Sequence, residues 1–239
     1  MAVDGTSTIT AWAVFSAIGG SLTGAVVGGT INYFLQRASR AEAKKQRDDD
    51  RLEVRRALAY SLLFKLIRVV SDLENLRKAV AESVEHATAS GLKGALWQMV
   101  LPVANLPDAV DFSADEMALV LSLDDQTFNQ IAALDKLHES TIAIFCSYGQ
   151  QREALVQKFG ASMQGSIGTT QLTKEDAEWL APRAHMLNDL VVAMKQRTEV
   201  DAVEARDGLT SVHSLFVKEL GIKKRLEFKK PSDASPDHL

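Results

Sequence analysis

The sequence predicts an all-α protein with one N-terminal transmembrane helix that continues into a cytoplasmic antiparallel helical bundle of about four to six helices. Three observations carry this expectation. No Lys, Arg, Asp or Glu occurs between Asp4 and Arg37, an interval of 32 residues. Beyond it, apolar residues recur at spacings of three and four rather than two, the periodicity of a helix with one buried stripe. The 239 residues include only five prolines, and the helix formers Ala, Leu, Glu, Lys, Gln and Arg dominate the middle and the end.

Residues 1–7 are expected to form a short extracytoplasmic terminus and residues 8–36 the span, since about 20 apolar residues cross a hydrocarbon layer of roughly 30 Å. Trp12 and Tyr33 would stand about 31 Å apart at ~1.5 Å per residue, matching the aromatic girdles of both interfaces. A cleaved signal peptide has a basic start and a shorter apolar region, and neither is present here. Within the span, Ser16 to Phe34 contains five glycines. Ser16, Gly20, Gly24 and Gly28 recur every four residues, and Asn32 continues the row. Lipid tails give leucine no reason to hide, so helices in a bilayer associate where small residues let their backbones approach. This row predicts a homo-oligomer assembled through the transmembrane helix. A soluble hairpin turning at Gly19-Gly20 or Gly28-Gly29 is the competing reading.

Residues 37–56 carry eight basic and five acidic side chains, net +3, whereas residues 57–239 carry 19 basic and 25 acidic, net −6. Arg37, Arg40, Lys44, Lys45 and Arg47 form the membrane-surface group. Their excess places the C-terminal side in the cytoplasm of a bacterial inner membrane and the amino terminus outside, and it suits anionic headgroups. An acidic remainder argues against nucleic acid as a partner. The stalk of residues 37–56 leads into a bundle over residues 57–221.

Leu66, Val69, Leu73, Leu76 and Val80 keep a seam of alternating three and four. Leu58, Leu62, Leu63, Phe64, Ile67 and Val70 make the preceding turns apolar almost all round, so this section is expected to be core. Ser90-Gly91 ends the pattern, and a short helix around Leu92 to Val100 stops before Pro102 and Pro107. Ser113 and Glu116 form a capping box. Asp124 or Asp125 opens a helix to about Phe159 with a face of Phe128, Ile131, Leu134, Leu137, Ile144, Phe145, Tyr148 and Leu155. Gly160 to Thr170 reads as a flexible connection. Thr173 to Asp176 caps a last helix, in which Pro182 marks a bend or a new start, running to Gly221. Residues 222–239 form a basic, then disordered, tail.

No catalytic residue, cofactor or metal site is expected. Gly160 and Gly165 have phosphate-loop spacing, but Ser166 and Ile167 stand where Lys and Ser or Thr are required. His185 with Asp189, and Asp135 with His138 or Glu139, are polar pairs with too few ligands for a metal. Cys146, flanked by apolar residues, is read as core packing. The reading is a non-enzymatic interaction or scaffold protein whose bundle recruits or senses a cytoplasmic partner. The alternatives are an oligomeric pore-forming effector, suggested by the hydroxyls and Asn32 in the span, and a membrane-bound enzyme whose site the sequence does not display.

Overall fold

The computed structural model describes the backbone of residues 7–159, 162–164, 167–169 and 172–223, and the side chains of residues 36–37, 39–159 and 172–223. The described residues are almost entirely helical, in five helices: α1 (Ser7–Ala89), α2 (Leu96–Met99), α3 (Ala114–Leu121), α4 (Asp125–Phe159) and α5 (Lys174–Leu220). A two-stranded antiparallel hairpin, β1 (Ser162–Gln164) and β2 (Ile167–Thr169), joins α4 to α5 with Met163 opposite Gly168. The expected flexible connection is therefore partly a hairpin, consistent with the strand-favouring Ile167 and Thr169 in β2. The remaining residues of the phosphate-loop-like segment, and the tail after Lys223, lie outside the described residues.

The chain divides into two units, Met1–Val54 and Arg55–Leu239. In the first, α1 runs unbroken through both glycine pairs, which overturns the hairpin alternative. The side chains of Ser16, Gly20, Gly24, Gly28 and Asn32 lie outside the described set. Among the described residues, no helix is long and apolar enough to cross a membrane.

In the second unit, three long helices supply the core at spacings of three and four. The inward positions are Leu62, Leu66, Val69, Leu73, Leu76 and Val80 on α1, Ile131, Leu134, Phe145 and Tyr148 on α4, and Leu187, Val191, Met194, Leu209, Val212 and Phe216 on α5. The expected α1 seam is buried throughout. Phe128, Leu137 and Ile144 are only half-buried.

The antiparallel expectation holds for one pair and fails for another. Arg56 donates to the Leu220 carbonyl at 2.8 Å, and farther along α1 Arg206 of α5 meets Glu74, so α1 and α5 run in opposite directions. Arg55 reaches Ser122, just before α4, and Asp72 faces His138 on it, so α1 and α4 run the same way. Parallel neighbours need a return path. Residues 90–124 supply it, with α2 and α3 as its only helical pieces.

Local chemistry sets the helix ends. Gly91 and Gly221 hold φ of 74° and 64°, the left-handed region that glycine enters without a Cβ clash. Ser113 accepts from the Glu116 amide, and Thr173 accepts from the Asp176 amide. Pro182 removes one helical donor, yet α5 continues past it.

Three expectations about burial need correction. Phe64 is 67% and Ile67 37% exposed, because Leu62, Leu63, Leu66, Val69 and Val70 already occupy the arc of α1 that faces its neighbours. Cys146 is exposed and receives a contact from Gln150. Phe145 takes the inward position there, and Cys146 sits about 100° farther round the helix.

Candidate functional site

The predicted membrane-surface residues Arg37, Arg40, Lys44, Lys45 and Arg47 are all exposed on α1, as is every described side chain from Gln36 to Arg51. Arg47 folds its Nε back to the Ala43 carbonyl at 3.0 Å. The basic collar therefore buries none of its charge within the protein.

The second unit contains a groove of about 330 Å³ between the last turns of α1 and the α2 segment. Glu82, Ser83 and His86 form one wall, and Gln98, Met99 and Leu101 the other. A buried clamp holds that second wall. Tyr148 is fully buried, and its hydroxyl lies 2.9 Å from the Trp97 carbonyl and 2.6 Å from that of Val100, to which it donates. Arg152, one turn on, donates to the Trp97 carbonyl and to the Tyr148 oxygen, while its guanidinium stands 5.4 Å from the Trp97 ring centroid. Burial, opposed by Arg152, raises the Tyr148 phenol, so the hydroxyl stays a donor. α2 has only four residues and could not persist alone. The clamp satisfies its carbonyls and fixes it on α4.

A polar layer crosses the middle of the three-helix core. His138 is 1% exposed, with its Nε2 3.5 Å from Asp72 Oδ2, and among the described residues neither atom has a hydrogen-bond partner. Arg68 approaches the same carboxylate oxygen at 3.8 Å. One turn later Thr141 donates to Asp201 of α5 at 2.7 Å, with both residues buried. Burial pushes the His138 imidazole below its ordinary value, against the pull of Asp72, and pushes the Asp72 carboxyl up, against His138 and Arg68. Both shifts favour the uncharged partners.

These directions predict a pH dependence. Unfolded His138 takes up a proton near 6.5 and folded His138 only at lower pH, so its contribution is complete above 6.5 and is lost as pH falls toward the folded value. Asp72 has the opposite sign: its contribution is present below 3.8 and lost as pH rises through its raised value. Urea unfolding of wild type against His138→Gln between pH 7.5 and 5.5 should show wild type losing on the order of 1 kcal/mol more than the variant. Parallel pH profiles would disprove the assignment.

The sequence singled out His138 only as a local partner of Asp135, and missed Asp72 and Asp201 altogether. A signal existed: Thr127, Ile131, Leu134, His138, Thr141, Phe145 and Tyr148 form one unbroken series of fours and threes. Polar residues at three of those inward positions call for polar partners on another helix. His185 and Asp189, 3.6 Å apart, are mostly exposed, as a surface pair. Among the described residues no group of three or more His, Cys, Asp or Glu side chains could hold a metal ion. No known family, no curated protein and no solved structure matches this chain.

Proposed function

We propose that the protein is a single-pass membrane-anchored interaction protein whose glycine-rich helix self-associates and whose helical unit recruits or senses a cytoplasmic partner. One observation carries this reading. A helix without interruption takes the charge-free residues 7–36 into a basic collar whose charges are all in solvent. Glycine in such a run would ordinarily break a helix in water, at about 1 kcal/mol per residue relative to Ala. In a bilayer the missing water enforces the backbone hydrogen bonds, and small residues become a contact surface. The collar then lies where anionic headgroups attract each Lys or Arg by about 1 kcal/mol. Groove and collar suit binding: the anchor concentrates copies, so modest individual contacts combine.

The span itself is tested in membranes of cells producing the full chain. Alkaline extraction should leave the protein in the pellet. Amine crosslinking should yield oligomers from wild type and at least fivefold less from Gly24→Ile, whose branched side chain separates the backbones. Equal oligomer yields from both would remove self-association through Ser16, Gly20, Gly24, Gly28 and Asn32. Release into the alkaline supernatant would remove the anchor.

A further inference from the structure

The face of α5 turned away from the core has its own repeat of threes and fours: Gln196, Val200, Val203 and Asp207. All four are exposed, Val200 at 54% and Val203 at 53%. Beside Val200 the surface is concave, a hollow of about 260 Å³ in which Leu137 of α4 and Ala193 take part. Arg197 and Glu204 flank the stripe seven residues apart. Both are exposed, and among the described residues neither makes an ion pair.

We propose that this face pairs with the same face of a second copy, the two α5 helices running in opposite directions. The pattern is self-complementary about a two-fold axis crossing α5 between Asp201 and Ala202. Val200 then packs against Val203 of the second copy, Gln196 can donate to Asp207 of the second copy, and Arg197 lies beside Glu204 of the second copy. Each contact occurs twice by symmetry. In antiparallel helix pairs such flanking positions face their own kind across the seam. The parallel arrangement sets Glu199 beside Glu204 of the second copy, two like charges in contact, and is disfavoured. An unrelated helix would have to match aliphatic, amide and charged positions one by one, whereas a second copy does so through the symmetry alone. The apolar centre is short, so the contact is weak in dilute solution and gains from crowding of copies at a surface. It stands on α5 alone and does not depend on the glycine-rich span.

The test uses the full chain in intact cells that produce it, in a Cys146→Ser background with Val200→Cys and a short membrane-permeant bis-maleimide. A crosslinked dimer is expected, and Arg197→Glu should lower its yield about tenfold by turning two attractions into repulsions. Arg197→Glu combined with Glu204→Arg should restore it. All these positions are exposed, so the fold is not at risk, and Thr88→Cys, exposed at the far end of α1, serves as the control. Adding Gly24→Ile should leave the Arg197 dependence in place, which separates this contact from assembly through the span. A yield insensitive to Arg197→Glu, a double variant that stays low, or an equal yield from Thr88→Cys would overturn the pairing.

Discussion

Tyr148→Ala should lower the unfolding free energy by about 3–5 kcal/mol, the range for removing a buried aromatic ring. Tyr148 is fully enclosed among Leu76, Val80, Val100, Leu187 and Met194. Losing the ring opens the core and also leaves the Val100 carbonyl without its donor, while the Trp97 carbonyl keeps only Arg152. Tyr148→Phe separates the two effects. It keeps the ring and should cost about 1–2 kcal/mol, the penalty for leaving the buried Val100 carbonyl unpaired. That loss should be local as well as global: amide exchange over residues 96–101 should quicken in Tyr148→Phe more than exchange in α5. Urea unfolding of the three proteins gives the first comparison, and hydrogen exchange read by mass gives the second. Wild-type stability for Tyr148→Phe would show that the hydroxyl holds nothing in place.

Glu116→Ala should cost about 2–3 kcal/mol. The carboxylate is 3% exposed and gathers three donors: Ser61 Oγ at 2.6 Å, Lys65 Nζ at 2.7 Å and the Ser113 amide at 2.7 Å. Removing one partner of a buried ion pair costs about 3–5 kcal/mol, and the figure here is smaller because Lys65 keeps 32% of its side chain in solvent. Burial by itself would raise the Glu116 carboxyl, but the hydrogen bonds from Lys65, Ser61 and Ser113 outweigh it and hold the group below its ordinary value. Its contribution is therefore complete above 4.5 and is lost as pH falls through the folded value. Wild type should accordingly converge on Glu116→Ala in acid. A constant gap between them across pH 7 to 3 would contradict the assignment.

Glu116 also shows what sequence could and could not reveal. Its capping box with Ser113 was legible, because both partners lie within one turn. Its link to Ser61 and Lys65 spans 55 and 51 residues, and only the packing of α3 on α1 creates it. The seam from Leu66 to Val80 and the stops at Gly91 and Gly221 were readable for the same local reason. Phe64 and Ile67 were misplaced since an apolar run does not say how wide an arc its neighbours will cover. The shared direction of α1 and α4 was invisible too. Short loops argue for antiparallel neighbours, and here the return path contains helices of its own. Of the candidate site, the collar was legible as charge, whereas the groove and the Asp72–His138 contact depend on which helices meet.

The shared direction of α1 and α4 bears on how the chain is made. Helix α1 leaves the ribosome before α4 and α5, but its carbonyl partner for Arg56 lies 164 residues downstream at Leu220. Helices α4 and α5, separated by only 14 residues, meet each other with little loop entropy to overcome. Until the last turn of α5 has been translated, α1 has no finished surface on which to settle.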